Sequence, residues 1–598
     1  MKNFSKNIAQ VLFFIIILLA VDFAFSQDKY KVQAIEIIGN DNYSDQFLKK
    51  IFLTKKYNWL NKQYFRNDLF TDDLNALIDF YKDEGYLEAK IINFQIQSDS
   101  LERQVALKIE IDEGERTTIA GISFFGNQVF SDSLLVNFVQ SSINKPFKKS
   151  TLDEDTQNLI TFYANHGHFE AIISPNLELN QERHQILVDF NIEEGQPIYI
   201  DEIKIRGNKK TKASVIVREL TFKPGDKYNF DKILKSQQKL YLTGLFNGVM
   251  IQPDENFKEN QNRRDIVIEV DEKNNGEFSF GLGYGTTDRL RGSIELFQNN
   301  ISGTARQAGI SVFASFIMRR SELSFTEPWL FTSRTKADAT LFIEKREEAG
   351  YHIDRYGGKL TLGKKIEQYN NLSFSYRHEK VKLSQEIDFQ HLQPYEKDQT
   401  RSLTFTLIRD TRNNIINSTS GTFTSVDIER AGEFLKGTSS FIKLSFKYKT
   451  FYPIQKRLIF ATALNCGLIG NYQRCEEIPI QERFFSGGAS SVRGFKEKFI
   501  GPKNEFGNPT GGTILLTLNL FEFRYTFYKK LSTILFLDLG NVWENSVSFK
   551  KFNLRKGMGL GLRYNSPLGI LRCDYGMKLD RQVGESFGEF YFSVGHAF

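Results

Sequence analysis

From Gly276 to Phe598 the chain alternates apolar and polar residues with period two, run after run, with no long uninterrupted apolar stretch. That pattern makes strands with two unlike faces. In one run Gly557, Gly559, Gly561 and Arg563 share a face, and Met558, Leu560, Leu562 and Tyr564 share the other. In the next, Arg572, Asp574, Gly576 and Lys578 oppose Leu571, Cys573, Tyr575 and Met577. Apolar faces of a soluble sandwich would meet in a core. Here the polar faces carry charges and glycines, as a wet lumen would, and the apolar faces end in aromatics, as a lipid belt would. Sixteen runs can be counted, the first near Phe278, the eighth near Ser402 and the last near Gly588. An even number fits a closed antiparallel transmembrane barrel. Composition agrees: 55 Phe and 24 Tyr coexist with a mean hydropathy of −0.36, because lipid-facing and lumen-facing residues cancel in the average. A net charge of +6 is too small for so long a chain to argue for nucleic acid.

One run breaks parity. Thr517 and Asn519 are polar at odd positions, whereas Glu522 and Arg524 are polar at even ones. A β-bulge near Leu520-Phe521 would turn both sets inward.

The first half repeats one unit three times. Each copy opens with a β-branched strand ending in Gly-Asn: Ile35 to Asn40, Ile122 to Asn127 and Ile203 to Asn208. A helical stretch follows, marked by Leu74, Leu77, Ile78 and Tyr81, then by Leu159, Ile160 and Tyr163, then by Leu240 and Tyr241. Each helix stops near a glycine, at Gly85, Gly167 and Gly244, as a left-handed cap would require. An alternating strand closes each copy and runs into Asp112-Glu113-Gly114, Glu193-Glu194-Gly195 or Asp271-Glu272. Each unit is thus a small α+β domain. These features resemble the POTRA domain, and the third copy departs from it in having Lys273 after its acidic pair. The expected boundaries are 28–115, 116–196 and 197–274, with the barrel at 276–598.

The N-terminus reads as a secretory signal at 1–26. Lys2 and Lys6 precede an apolar core at Val11 to Val21, too short to span a bilayer, and Ala24-Phe25-Ser26 offers a cleavage site. The alternative is an uncleaved anchor helix. Three cysteines, Cys466, Cys475 and Cys573, form neither a disulfide framework nor a metal spacing. Cys466 and Cys475 could pair at the outer end of a hairpin, or stay free. His166-Gly167-His168 with Glu170 is expected to be a surface turn rather than a metal site. Gly358 to Lys364 mimics a phosphate loop, but Lys365 stands where Ser or Thr is required and the segment alternates as a strand. No cofactor, metal site or catalytic residue is expected.

The long loop before the twelfth run contains Gly487-Gly488 and Val492-Arg493-Gly494-Phe495. Beyond it lies Phe536-Leu537-Asp538-Leu539-Gly540, in which Asp538 and Gly540 face inward by alternation. An arginine on a loop folded into the lumen needs a carboxylate partner. Asp538 suits it in a bidentate pair, with Glu522 as a second candidate. These motifs, together with Pro328-Trp329, Asp410-x-Arg412-Asn413, Ser566-Pro567-Leu568-Gly569 and an aromatic last strand, resemble the BamA/TamA outer-membrane assembly family, three repeats being closer to the TamA branch. The resemblance implies that Arg493 and Asp538 lock the loop in the lumen. It implies a weak seam between first and last strands, here Phe278 and Phe280 against Phe590, Phe592 and Phe598, which opens sideways to template a client strand. It further implies a protein of the outer membrane, with its repeats in the periplasm binding unfolded barrel clients. An inner-membrane-anchored, TamB-like partner is also implied. The alternative is a transporter of the two-partner-secretion type, passing one dedicated substrate through the lumen.

Overall fold

The computed structural model describes residues 30–58, 63–254, 262–331, 333–388, 391–472, 477–544, 553–566 and 569–594. The proposed leader, Cys475 and Phe598 lie outside them. The chain divides into two compact units, one holding the first two repeats with part of the third, the other the rest of the third and the barrel.

Each repeat carries a three-stranded sheet in which the last strand is central. In the first, Gln104–Asp112 lies between Lys31–Ile38, parallel to it, and Lys90–Asp99, antiparallel to it. The helix Asn67–Asp83 buries Phe70, Leu74, Leu77 and Tyr81 against Val105, Leu107, Ile109 and Ile111. The second repeat places the helix Lys149–Asn165 over Ile186, Val188, Phe190 and Ile192 in the same way.

The repeated Gly-Asn has a physical cause. Gly39, Gly126 and Gly207 have φ of 83°, 84° and 87°, and a Cβ on them would strike the carbonyls of Ile111, Ile192 and Val270. The asparagine after each folds the next turn, donating its amide to the carbonyls of Tyr43 (2.8 Å), Phe130 (2.9 Å) and Thr211 (3.0 Å). The exit acids close the same turn. Glu113 accepts from Asn42 N at 3.2 Å, Glu194 from Val129 N at 2.9 Å and Glu272 from Thr211 N at 2.7 Å. Glu272 therefore keeps this job although Lys273 replaces the glycine. Tyr81 and Tyr163 donate their hydroxyls to Glu113 and Glu194. In the third copy the corresponding position is Leu240, fully buried, while Tyr241 is exposed. The shorter spacing to Gly244 puts that tyrosine one residue too far round the helix to face the core.

The second half is a closed barrel of sixteen antiparallel strands from Gly276–Gly285 to Gly588–Val594. The expected strand starts fall within about five residues of the observed ones except at the eighth, which begins at His391 rather than Ser402. The reason is that the seventh and eighth strands extend their hairpin beyond the lipid belt, where lipid imposes no alternation. In the twelfth strand (Ile514–Tyr528) Asn519 pairs with Asp538 and Phe521 with Leu537, which leaves Leu520 as the bulged residue. Closure is thin. The first strand pairs with the second over ten residues, but with the last, among the described residues, only at Tyr284–Val594 and Gly285–Ser593.

Candidate functional site

The long loop, described at 477–513, folds so that Val492, Arg493 and Phe495 are buried. Gly487 and Gly488 have φ of 101° and 106° and start a tight turn, in which Gly488 N donates to Val492 O and Gly487 N to the Ser491 hydroxyl. Arg493 then points at the wall. Its Nε and Nη2 donate to the two oxygens of Asp538 at 2.7 and 3.0 Å, and its backbone N adds a third bond at 3.1 Å. Its Nη1 reaches Glu522 at 2.8 Å, and the guanidinium lies 3.5 Å from the centre of the Phe536 ring. Burial opposes the charged guanidinium. The hydrogen bond and charge of Asp538, then the charges of Glu522 and Asp574, outweigh it and raise the pKa of Arg493 above the ordinary arginine value.

The bulge at Leu520 makes this geometry possible. It lets Asn519 donate to Asp538 and still turns Glu522 inward, where Glu522 also accepts Arg524 Nε at 2.7 Å. Gly540 is required as well: a Cβ there would sit 2.8 Å from Val492 Cγ2.

Several residues of the site were legible only as lumen-facing. Asp574 on the fifteenth strand (Gly569–Lys578) lies 3.7 Å from Arg493 Nη1 and is held by Arg563 and Arg572. Arg572 also donates to the carbonyl of Ala489 at 2.8 Å. Gly557 and Gly576 are where the loop backbone touches the wall, since a Cβ on Gly557 would strike the Arg493 carbonyl and one on Gly576 would lie 2.5 Å from Gly494 N. Tyr591 on the last strand accepts from Gly494 N at 2.9 Å. Its parity, opposite to Phe590 and Phe592, was the available signal. The loop's first limb has its own mooring: Glu482 accepts Arg377 Nη2 at 2.9 Å, and Lys443 donates to the Glu482 carbonyl at 2.8 Å.

Of the seam aromatics, Phe278, Phe280 and Phe590 are more than half exposed on the outward face, and the Phe592 ring lies 6.2 Å from Tyr284. Phe598 falls outside the described residues. Pro328-Trp329 sits at a turn that meets residues 211–219 of the same compact unit. There Trp329 Nε1 donates to Glu219 at 2.7 Å, Glu219 also holds Arg334, and Asn300 donates to the Thr211 hydroxyl at 2.8 Å. The expected surface turn at 166–168 is only partly one. His168 is 2 % exposed, with Nδ1 at 3.1 Å from the Glu194 carbonyl, because its ring fills the gap between helix end and exit strand. Cys466 lies in the eleventh strand, and its pairing with Cys475 falls outside the described residues.

Residues 300–598 match the family model described as the Omp85 superfamily domain. Residues 30–114, 117–195 and 198–273 each match the POTRA model, described as the surface antigen variable number repeat. The chain is similar to the outer membrane protein assembly factor BamA of Nitratidesulfovibrio vulgaris, 25% identical over 96% of this chain and 74% of that protein. It is equally similar to BamA of Neisseria meningitidis serogroup B, 25% identical over 95% of this chain and 78% of the other. Among solved structures, BamA from Haemophilus ducreyi lacking POTRA domains 1-3 covers 80% of this chain with a TM-score of 0.68 at 20% identity, which shows a shared fold.

Proposed function

This chain belongs to the Omp85 superfamily, and on that premise we propose that it assembles barrel proteins into the outer membrane, its barrel in the lipid and its repeats in the periplasm. The meeting of the first and last strands carries the reading. The first strand leaves the edge of Gly276 to Gly283 without a described partner, and a strand edge is a template for another strand. The repeats offer further edges for unfolded clients. Lys90–Asp99 and Ile172–Asn180 each lie at the side of their sheet, with Ile92, Phe94 and Ile172 exposed. Arg493 and Asp538 lock the loop in the lumen, so that the client's route is the seam and not a central channel. No catalytic group or cofactor is invoked, because the client's own folding into lipid supplies the free energy. The three-repeat arm resembles the TamA branch, and an inner-membrane-anchored partner on the first repeat is the corresponding proposal, tested by pull-down through residues 30–114.

The test is a reversible seam lock. Tyr284 and Val594 are directly paired, a separation that a disulfide can bridge. Tyr284→Cys with Val594→Cys, in a chain whose native cysteines are serines, should stop assembly of other barrels when oxidised and resume on reduction. Full activity of the quantitatively crosslinked protein would overturn the proposal and favour a transporter working through the lumen.

A further inference from the structure

The outward face of the barrel is a belt for acyl chains, but between the fourth strand (Met318–Glu327) and the seventh (Asn370–Asp388) it is not flat. Small residues at Ser321 and Gly358 leave a cleft of about 680 Å³ there, walled by Leu323, Leu341, Ile343 and Tyr356. Those four walls are all more than half exposed to the surroundings of the barrel. His378 and Lys380 close one end of the cleft. They point outward because they pair with Gly358 and Tyr356.

The eighth strand (His391–Asp410) adds to that end. Arg401 pairs with His378, and Gln399 with Lys380. The Gln399 side chain lies 2.7 Å from His378 Nε2, and with its amide turned its oxygen accepts the Arg401 guanidinium at 2.9 Å. Arg401 Nη1 also donates to the Leu435 carbonyl at 3.0 Å. The guanidinium is therefore held in place without a carboxylate, and among the described residues neither Arg401 nor Lys380 forms an ion pair. Among the described residues the acids on this part of the face are Asp354, which stands between Lys345 and Lys382, and Glu347, two residues beyond Lys345 on the fifth strand. The balance is cationic. Lys380 is the eleventh residue of a strand that begins at the periplasmic side, which at 3.3 Å per residue and a usual tilt puts it roughly 25 Å up, at the outer edge of an apolar band.

We propose that this cleft is a specific lipid site, in which one acyl chain of a phosphorylated outer-leaflet glycolipid lies against Leu323, Leu341 and Tyr356 while its phosphate is held by Lys380, His378 and Arg401. An acylated phosphate matches both halves at once: the apolar wall needs a chain, and the unpaired cations need a charge-assisted acceptor. The proposal rests on the outer-membrane placement of the barrel and is independent of whether clients enter at the seam.

Native mass spectrometry of the full-length protein in detergent tests it, with bisphosphorylated lipid A, the same lipid after phosphatase treatment, and inorganic phosphate as probes. The intact chain should retain one bisphosphorylated lipid where the dephosphorylated lipid is lost. Lys380→Ala with Arg401→Ala should weaken retention about tenfold. Ser321→Leu, which fills the cleft and leaves Lys380, His378 and Arg401 unaltered, should weaken it too, with unchanged mobility on a cold gel showing that the barrel is intact. Equal retention by the intact chain and both variants overturns the site. So does displacement by millimolar inorganic phosphate with no effect of Ser321→Leu, which would leave a bare anion contact and no lipid cleft. Client assembly, measured separately, can fail without touching this result.

Discussion

Tyr591 donates its hydroxyl to the carbonyl of Phe495 at 2.6 Å, and so joins the strand that closes the barrel to the loop that fills it. The same oxygen accepts from Gly494 N, so both of its hydrogen-bonding roles are spent on the Arg493 loop. The last strand is the one that, among the described residues, pairs with the first only at Tyr284–Val594 and Gly285–Ser593. Loop position and seam are therefore mechanically linked through one side chain. Tyr591→Phe keeps the ring and leaves a buried N–H and C=O unsatisfied, at a cost of about 1–3 kcal/mol. The expected outcome is a folded barrel with faster amide exchange at 491–496 and in the last strand together. Faster exchange in the loop with an unchanged last strand would separate the two and remove the link.

The Arg493 cluster is expected to respond asymmetrically to charge. Arg493→Ala leaves Asp538 buried with Asn519 as its remaining side-chain partner, and breaking a buried pair of this kind costs about 3–5 kcal/mol. Arg493→Lys keeps the charge but cannot make two parallel bonds to Asp538 and a third to Glu522, so it should rescue little. In both variants the barrel should still form on a cold gel, with the loop cleaved by added protease and client levels reduced. Asp538→Asn should match Arg493→Lys in severity. A lysine variant with normal protection and normal client levels would show that charge alone suffices.

How far the site could be read from sequence depended on what kind of constraint each residue obeys. Period two carried the strand count, the inward direction of Asp538 and, through its one break, the bulge at Leu520. Repetition carried the three domains, since Gly39, Gly126 and Gly207 recur for a single steric reason. Pairings across hairpins far apart in sequence were not legible. Asp574 and Tyr591 were visible as inward-facing, but nothing local says that they meet residues 493–495. Tyr241 misled because a tyrosine marks the helix end in the other two copies, whereas in the third it is Leu240, four residues before Gly244 as Tyr81 is before Gly85, that takes the buried place. The extension of the eighth strand to His391 was missed because a strand beyond the belt has no lipid to impose alternation.

The lumenal glycines of the fourteenth strand (Arg555–Ser566) read as features of a wet face, and the structure gives them a sharper role. A Cβ at Gly557 would occupy the position of the Arg493 carbonyl. Gly557→Val should therefore expel the loop as effectively as Arg493→Ala, although it removes no hydrogen-bonding group. Gly584, with nothing near its Cβ direction but a φ of 87°, is a control for backbone strain. Protease sensitivity of the loop in the two variants checks the difference: Gly557→Val should expose it and Gly584→Ala should not.

The third repeat should soften in acid through Glu272. Burial works against its charge, but the hydroxyl and N–H of Thr211 and the N–H of Lys210 bond the carboxylate and hold its pKa below the ordinary value of 4.5. A depressed folded pKa means that the unfolded chain takes up the proton first. The stabilisation is thus complete above about pH 4.5 and is lost as the pH falls through the folded value. Glu113 and Glu194 hold the corresponding turns in the other repeats, but there a tyrosine hydroxyl shares the carboxylate. Amide exchange at Lys210 and Thr211 in the full-length protein, corrected for the intrinsic pH dependence, should accelerate several-fold between pH 6 and pH 3. Glu272→Gln should exchange fast at both pH values, because its amide offers the turn no charge at any pH. Protection in the native protein that does not change with pH would show that this carboxylate does not carry the turn.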